Sequence, residues 1–580
     1  MGTGTLGASA AGLGPNTRHR GARAAAIEGR FPGYRVEFGQ RWASAQRAVH
    51  MTIRPMTRRV LPLLALLVAA LVSGCGSSPS QPPASSVAIN RAYNTDQSRQ
   101  AFLIALRRIH AEYIEERALA DLVAAGLEGL QRLEPQLLVI RDQGVSVTVR
   151  GAGFRLFEAG DRDDPIIWSA RLTRAIDWIR TVSQPVVQAD QETIFRTVFD
   201  GMMTRLDRFS AYRDPQSSAA SRNDLHGFSG IGVTIMARDR RIVLQAITPG
   251  APAAEGGLRA GDVVLAVDGR STEDLSESAA ADLMRGASGT SVDLTIQRGD
   301  LPPFLVRLIR AQIFNPTVAF RWETGGIGYM RITGFNERTP IMVLDQLTRA
   351  RTEAGGLQGL ILDLRGNPGG LFFEGVQTAD MFLSSGIIVS TTSRAPGGTS
   401  TRRATGRDMA NGVPIVVLID GGTASAAEIL AAALQDNGRA VVVGSRSFGK
   451  GSVQSLIYDL PNRGEIRFTS GRWLTPSNYS FDQYGIIPNL CTADDSFDVA
   501  KTLTAWRDGR LDLMAAPRQR RALSGQAGEQ KVRALEGICP TSTTRREAPE
   551  EMQVARALLA DQALFRRSAR PATSTARRPI

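Results

Sequence analysis

Lysine is scarce in this chain of 580 residues. It occurs three times, as Lys450, Lys501 and Lys531, and arginine supplies the other 66 of the 69 basic side chains. Since the chain uses arginine for nearly all of its positive charges, the lysine at 450, in a Gly-rich turn, calls for a chemical explanation. Two such reasons exist: the lysine ammonium group is a compact charge that binds phosphate, and burial can lower its pKa until it loses its proton.

Histidine and cysteine are almost as rare, and their positions exclude several kinds of active site. No histidine falls in the α/β region at 313–490, so that region cannot hold a Ser-His-Asp triad. No cysteine lies between Cys75 and Cys491, which disfavours a cysteine nucleophile. Clustered metal ligands are also missing, so we expect neither a metal nor a cofactor. The four histidines are His19, His50, His110 and His226.

A short apolar run near the start resembles a bacterial export signal. The stretch 56–75 begins with basic residues, is apolar from Val60 to Val72, and ends in a Val-Ser-Gly-Cys sequence at Cys75. The run is too short for a comfortable membrane span and suits a signal peptide. Its ending resembles a lipobox, in which the cysteine is lipidated, and this predicts a lipid-anchored protein outside the cytoplasm. A plain secretion signal and an N-terminal anchor are the alternatives.

Segments on both sides of this signal lack periodic patterns. Residues 1–55 are rich in Gly, Ala and Arg, and we interpret them as a non-native or disordered extension, with the true start at Met51 or Met56. Residues 76–90 read as a Ser/Pro/Gly linker. The lack of Asp after Cys75 would favour the outer membrane in a Gram-negative cell.

Most of the formal net charge of +13 lies at the ends of the chain. Residues 1–74 hold ten Arg and two Glu, and residues 566–580 hold five Arg and no acid. The body between them carries no basic stripe, so we expect no nucleic-acid partner. The Arg-rich end of the 491–580 segment reads as a disordered tail behind a helical part.

The first part of the body, 91–225, is predicted to be mostly helical. Stretches such as QAFLIALRRIHAEYI place apolar residues at helical spacing, while VSVTVR at 145–150 alternates like a strand. Residues 137–190 fit no assigned role, and an assembly or adaptor surface is one interpretation.

The sequence pattern changes at 226, and the stretch 226–312 resembles a PDZ domain. The resemblance rests on SGIGVTI, GLRAGDVVLAVDG and a late helix at 274–285, in that order. In PDZ domains the loop that matches this sequence offers backbone N–H groups to the terminal carboxylate of a peptide, which adds as a strand to the sheet edge. The loop residues here are Gly230, Ile231, Gly232 and Val233.

The region 313–490 reads as α/β, with four strand-like runs that alternate with Gly-rich turns and helices. The fourth run leads into a turn in which Gly444, Gly449 and Lys450 give G-x-x-x-x-G-K. This spacing suggests a P-loop, but Gly451 stands where a magnesium-binding Ser or Thr is needed. A nucleotide hydrolase is therefore a weak alternative, and an ordinary solvated lysine is another.

Ser425 is the candidate nucleophile, because it stands where the third strand turns into a helix. Ser425 and Glu428 form an S-x-x-E capping box, and first-turn N–H groups can receive a developing oxyanion. Serine needs a base, and a neutral lysine can serve if burial lowers its pKa. Lys450 follows after one helix and one strand, which is enough chain to return beside Ser425. A simple helix-capping serine is the alternative.

Two long motifs carry a resemblance to a known family. ILDLRGNPGGL and GGTASAAEILAAALQDNGRAVVVGSRSFGKGSVQ, after the PDZ-like segment, resemble the carboxyl-terminal processing (tail-specific) proteases. The match covers about 195–490. The resemblance implies a crotonase-like (ClpP-like) core of the α/β class, flanked by a helical cap and the PDZ domain. The family's LDPHSSY-like stretch reads LDRFSAYRDP here.

The same resemblance assigns roles to residues. It implies Ser425 as nucleophile, Lys450 as general base and Gln454 as the residue that orients the lysine. The backbone N–H of Ala426, with one from the Gly369-Gly370 turn, would form the oxyanion hole. Arginine at 450 could not give up a proton, which would explain the lysine.

These patterns predict an exported, lipid-anchored serine endopeptidase that captures apolar C-termini through its PDZ domain and cleaves through an acyl-enzyme. The PDZ domain can gate the site in this family, and an adaptor lipoprotein or a homo-oligomer are further partners to consider. The rival from another class is a non-catalytic PDZ adaptor in a protease-like shell. An exported compartment permits a disulfide between Cys491 and Cys539, which could equally stay free.

Overall fold

The computed structural model describes residues 93–569, except positions 143, 152, 159–162, 354, 395–397, 495, 524 and 544–548. The interpretations of 1–55, of the signal at 56–75 with Cys75, of the linker and of the tail beyond 569 lie outside these residues. Within the described part, no helix combines the length and the apolar character that crossing a membrane demands.

The N-terminal region combines helices with a small sheet. Its helices are α1 (Thr95–Glu112), α2 (Leu119–Gly129), α3 (Pro165–Val182), α4 (Gln184–Gln188), α5 (Gln191–Met203) and α6 (Pro215–His226), with a 3-10 turn at Leu130–Arg132. Its strands are β1 (Leu137–Arg141), β2 (Gly144–Val149), β3 (Gly153–Glu158) and β4 (Ala211–Arg213).

The prediction of a mostly helical region is therefore incomplete, because β1, β2 and β3 form an antiparallel sheet. Of these three strands, the sequence pattern predicted only β2, from the alternating run at 145–150. Val145, Val147 and Val149 on β2 are buried on one face, as period-2 alternation requires. The strands β1 and β3 expose Leu138, Ile140 and Leu156 on the other face, which blurs their alternation.

The PDZ-like region forms a compact antiparallel sheet with two helices. Its sheet has the order β11-β10-β8-β7-β6, with β9 beside β8, and β12 pairs with β5. The elements are β5 (Phe228–Gly230), β6 (Val233–Arg238), β7 (Arg241–Ile247), α7 (Pro252–Glu255), β8 (Val263–Val267), β9 (Arg270–Ser271), α8 (Glu277–Met284), β10 (Ser291–Gln297), β11 (Phe304–Ile309) and β12 (Ala311–Ile313).

The α/β region consists of two sheets. Its strands are β13 (Val318–Glu323), β14 (Ile327–Ile332), β15 (Gly359–Asp363), β16 (Ile387–Ser393), β17 (Thr399–Arg403), β18 (Ile415–Ile419), β19 (Ala440–Gly444), β20 (Ser452–Ile457), β21 (Glu465–Leu474) and β22 (Leu490–Cys491). Its helices are α9 (Thr339–Thr352), α10 (Phe372–Asp380) and α11 (Ala426–Asp436).

The first sheet has the order β13-β14-β15-β18-β19-β22 and is parallel from β14 onward. Its central strands β15, β18 and β19 are buried at every residue, which explains their continuous apolar sequences. The second sheet, β17-β16-β21-β20, also receives β4 from the N-terminal region. Helix α11 is buried along its whole length between these layers.

The C-terminal segment forms five helices, namely α12 (Val499–Arg507), α13 (Ala515–Ala522), α14 (Gly528–Ile538), α15 (Pro549–Ala560) and α16 (Gln562–Ser568). Helix α15 packs Val554 and Leu558 against the face of the parallel sheet that contains Leu418 and Val443. A disulfide joins Cys491, at the end of β22, to Cys539, directly after α14.

Candidate active site

The candidate site lies at the carboxyl ends of three adjacent parallel strands. The loops at 364–371, 420–425 and 445–451 follow β15, β18 and β19, and the strand order brings them to one edge of the sheet. They border a cleft of about 990 Å³. Five residues named by the sequence line this cleft, namely Ser425, Lys450, Gln454, Gly369 and Gly370.

Ser425 occupies a strained backbone position at the N-cap of α11. Its φ of 58° and ψ of −121° lie in a region that non-glycine residues rarely adopt. Such a conformation costs about 1–3 kcal/mol and persists where the surroundings enforce it. Here the amide of Ala424 donates to the carbonyl of Asn367 at 2.9 Å, which ties the serine turn to the loop after β15.

Glu428 joins the loop at 420–425, which we term the serine loop, to the loop at 445–451, which we term the lysine loop. This carboxyl is fully buried one turn into α11 and accepts four hydrogen bonds. The donors are the amides of Ser425, Gly449 and Lys450, each at 2.8 Å, and the hydroxyl of Ser447 at 2.5 Å. Burial raises the pKa of Glu428 to about 7, while the four hydrogen bonds act in the opposite direction.

Replacing Glu428 with Gln should loosen both loops together. In either orientation the new NH2 group would face at least one backbone N–H donor, and losing charge-assisted hydrogen bonds in a buried site costs about 2–4 kcal/mol. We expect a lower denaturation midpoint and a kcat about tenfold lower, because the side chains of Ser425 and Lys450 both extend from these loops. The exposed Glu529→Gln variant is the control. Wild-type kcat in Glu428→Gln would contradict this role.

Lys450 is half-buried and lies in an environment that favours the neutral amine. Desolvation, followed by the charges of Arg467 and Arg213, lowers the pKa of Lys450, and Glu428 opposes the shift. Its Nζ atom lies 5.9 Å from the ring centre of Phe209. Among the described residues, no hydrogen bond joins this amine to the Ser425 hydroxyl.

Gln454 has other partners in this structure. Its Nε2 atom donates to Thr469 Oγ1 at 2.7 Å and to Ser452 Oγ at 3.1 Å. Its Oε1 atom is buried and accepts no hydrogen bond from the described residues. Among the described residues, no hydrogen bond joins Gln454 to Lys450, because the glutamine NH2 group donates to β21 and to its own strand.

The two glycines of the turn after β15 are not equivalent. The amide of Gly369 donates to Asn367 Oδ1 at 2.8 Å, so it is already occupied. The amide of Gly370 has no acceptor among the described residues and remains available. A Cβ at Gly370 would lie 2.1 Å from the carbonyl oxygen of Phe335, and one at Gly369 would lie 2.6 Å from Ser425 Cβ, so both positions require glycine.

The G-x-x-x-x-G-K stretch does not form a P-loop. A P-loop presents phosphate to the N-terminus of the helix that follows it. In this chain the turn after β19 leads into β20 instead, and Gly449 and Lys450 donate their amides to Glu428. The nucleotide-hydrolase alternative is therefore wrong on structural grounds.

The PDZ loop residues border a second, smaller groove. Gly230, Ile231, Gly232 and Val233 line a cavity of about 100 Å³ between the start of β6 and helix α8. Its remaining walls are mostly apolar and come from Phe228, Ile235, Ala281, Met284 and Arg285. Gly232 adopts a φ of 78°, and a Cβ there would lie 2.2 Å from Ala251 Cβ.

Sequence reasoning missed the groups that hold the loops from behind. Glu428 was recognised only as a capping residue, and its contacts to the lysine loop span about 20 positions. Asn367 and Arg365 were also missed. The RGNPGG turn that contains them was a signal, because polar side chains within a Gly-rich turn commonly bond its backbone.

Comparison with known proteins identifies two domain families in this chain. The family model for Peptidase family S41 matches residues 326–491, and the PDZ domain model matches residues 243–298. A carboxy-terminal-processing protease from Bartonella bacilliformis is 36% identical over 325 residues, which are 55% of this chain and 74% of the relative. A carboxyl-terminal-processing protease from Synechocystis is 37% identical over 297 residues, which are 50% of this chain and 67% of the relative.

Among solved structures, the photosystem II D1 C-terminal processing protease is similar, with 26% identity, coverage of 68% of this chain and 92% of that one, and a TM-score of 0.35. The chain belongs to the carboxyl-terminal processing proteases of peptidase family S41, and it is a serine-type peptidase with a PDZ domain.

Proposed function

We propose that this peptidase cleaves protein chains through a Ser425/Lys450 dyad. The observation that carries the proposal is the coupling of the two residues: Glu428 accepts the backbone amides of both, and both line one cleft. The lowered pKa of Lys450 adds support, because a neutral amine can accept the serine proton.

The reaction then has two halves. Neutral Lys450 accepts the proton of the Ser425 hydroxyl as the oxygen attacks the scissile carbonyl, and the ammonium returns a proton to the leaving amine. The lysine next takes a proton from water, which attacks the acyl-enzyme, and the ammonium returns that proton to the Ser425 oxygen as the new C-terminus is released. We propose that the amides of Gly370 and Ala426 receive the oxyanion in both halves.

The described arrangement supports a resting state of this dyad. Ser425 and Lys450 share no hydrogen bond, and Gln454 is bonded to Ser452 and Thr469. We propose that peptide binding at the PDZ groove shifts the population toward a form in which Gln454 orients Lys450. The PDZ region begins and ends at the paired strands β5 and β12, and directly before it His226 Nδ1, at the end of α6, lies 2.7 Å from Glu337 Oε1 in the peptidase region.

The substrates that fit both sites are proteins with apolar C-termini. The mostly apolar groove at Gly230–Val233 suits a small apolar terminal side chain, and the cleft beside Ser425 carries the stacked rings of Phe372 and Trp473, 5.6 Å apart.

Export with a lipid at Cys75 remains a proposal, which the disulfide between Cys491 and Cys539 supports. The two-layer α/β core supports a crotonase-like (ClpP-like) fold with a helical cap. An adaptor lipoprotein and a homo-oligomer stay open.

Substrates that differ only at their last residue test the coupling of groove and cleft. An unstructured protein ending in a free apolar residue should be cleaved at least about tenfold faster, as kcat/KM, than the same protein with an amidated end or a terminal Asp, since backbone N–H groups recognise the carboxylate. Equal rates would contradict terminal recognition. Wild-type enzyme that binds the free terminus without turnover would instead favour a non-catalytic PDZ adaptor.

A further inference from the structure

The segment beyond residue 491 reaches the back of all three loops that carry the active site. The S41 family model ends at 491, so this segment is outside the matched region. Two parts of it make the contacts, namely residues 539–542 and Glu551 on α15, which together we term the C-terminal brace. Helices α12, α15 and α16 otherwise pack on the apolar face of the parallel sheet.

Residues 539–542 contact the serine loop and the lysine loop at once. The carbonyl of Ser542 accepts the amide of Gly421 at 2.7 Å and the hydroxyl of Ser445 at 3.0 Å. The carbonyl of Pro540 accepts the amide of Arg446 at 3.3 Å. Gly421 lies four residues before Ser425, and Ser445 and Arg446 precede Lys450 in the same loop. One short segment of chain therefore accepts hydrogen bonds from both loops.

The third contact is made by Glu551 and reaches the loop at 364–371, which we term the oxyanion turn. Glu551 is 1% exposed and accepts Arg365 Nη1 at 2.7 Å and Thr492 Oγ1 at 2.8 Å. Arg365 begins the turn that contains Gly370, and it also binds Asp363 through two hydrogen bonds of 2.7 and 2.9 Å. A buried guanidinium held on both sides fixes the direction in which this turn leaves the sheet.

The disulfide decides where the brace begins. Cys539 is the first residue of 539–542, and its bond to Cys491 fixes it at the edge strand β22, beside the end of β19. Without this bond, α14 and the following residues would be held to the sheet edge only by non-covalent contacts. The disulfide therefore links the residues that support the serine loop and the lysine loop covalently to the edge of the sheet.

We propose that the C-terminal brace, tethered by the Cys491–Cys539 disulfide, positions the nucleophile, lysine and oxyanion loops of this peptidase. Glu551 is its main positioning residue. The inference rests on the proposed function, since it assigns a geometric role to residues that touch neither substrate nor reacting atoms. Displacing a catalytic group by about 1 Å costs roughly 100-fold in rate, so the effect should appear in kcat.

Three variants of the full chain test this. Glu551→Gln keeps the shape but removes the negative charge that pairs with Arg365, and Cys491→Ala/Cys539→Ala removes the tether. Arg556→Gln is the matched control, because Arg556 lies on the same helix α15 and binds Glu323 near β13, away from the catalytic loops. For each variant, kcat and KM are measured on an unstructured protein substrate below the thermal transition, with folding checked by circular dichroism.

We expect kcat to fall about 10- to 100-fold in Glu551→Gln and in the double-cysteine variant, with KM within about twofold of wild type. Arg556→Gln should match wild type in both constants. A role in stability alone would lower the thermal midpoint and leave kcat of the folded protein unchanged, which would overturn the inference. A rise in KM with kcat unchanged would overturn it as well.

The outcome also separates this inference from the proposed function. If wild type cleaves and both variants keep its kcat, the brace has no positioning role and the dyad stands. If wild type does not cleave, the proposed function fails and the inference falls with it. Should Glu551→Gln not fold, the double-cysteine variant decides by the same criteria.

Discussion

Lys450→Arg is expected to lose peptide cleavage while the protein remains folded. The substitution places a permanent positive charge beside Glu428 and close to Arg467 and Arg213, because a guanidinium does not lose its proton in a protein. General-base catalysis contributes about 10²- to 10⁴-fold, so kcat should fall by at least that range. The measurement is cleavage of an unstructured protein with an apolar C-terminus, together with circular dichroism.

The scarcity of lysine provides a clean control for this experiment. Lys501 has a side chain that is 87% exposed on α12, so Lys501→Arg makes the same chemical change where no catalysis takes place. It should leave kcat and KM unchanged. Lys450→Arg that retained more than a tenth of wild-type activity would show that another group is the base, and the dyad mechanism would be wrong.

Ser425→Gly is expected to be inactive and, at the same time, more stable than Ser425→Ala. Both variants lack the hydroxyl nucleophile, and activity should fall by at least about 10⁴-fold. The backbone at this position has a φ of 58°, which glycine adopts freely and alanine does not. Relief of about 1–3 kcal/mol of strain, less the greater entropy of glycine in the unfolded chain, leaves a net gain of about 1 kcal/mol.

The paired thermal midpoints of the two variants measure this directly, because both remove the hydroxyl and differ mainly in the freedom of one backbone position. A higher midpoint for Ser425→Gly would show that the fold holds the nucleophile against its own preference. Such strain is stored where function requires a fixed geometry. A higher midpoint for Ser425→Ala would contradict the strained conformation, and residual cleavage by either variant would contradict the role of the serine.

The sequence could predict the local parts of this site well. The strands β15, β18 and β19 are continuous apolar runs, and α11 begins at a capping sequence, so their type and order follow from periodicity and turn chemistry. Ser425 and Lys450 stood out for chemical reasons, as a serine at a helix start and a lysine in a chain that otherwise uses arginine. Family membership, read from the two long motifs, is confirmed.

Contacts between distant parts of the chain could not be predicted in this way. Whether Gly369 or Gly370 offers a free amide depends on the side chain of Asn367, which only the folded turn places at Gly369. Gln454 was expected beside Lys450, but its partners Ser452 and Thr469 depend on the register of β20 against β21. The β1–β2–β3 sheet was missed for a related reason, since two of its strands expose apolar residues on the outer face.

The C-terminal brace is the clearest case of a long-range feature. Ser542 and Ser445 are 97 positions apart, and Glu551 and Arg365 are 186 positions apart. Neither a capping box nor a hydrophobic period marks such pairs, because they depend on where α14 and α15 dock on the sheet. Cys491 and Cys539 were the one local signal, and the sequence left open whether they form a bond.

The most direct test of the account is the titration of Lys450 itself. The chain contains three lysines, so lysine labelled with ¹³C at Cε gives at most three NMR signals, which Lys501→Arg and Lys531→Arg assign. The account predicts that the Lys450 signal titrates with a pKa below the ordinary 10.5, and that kcat/KM rises with pH through the same pKa as the amine loses its proton. A Lys450 signal that stays protonated at every pH where the enzyme cleaves would contradict a neutral lysine base.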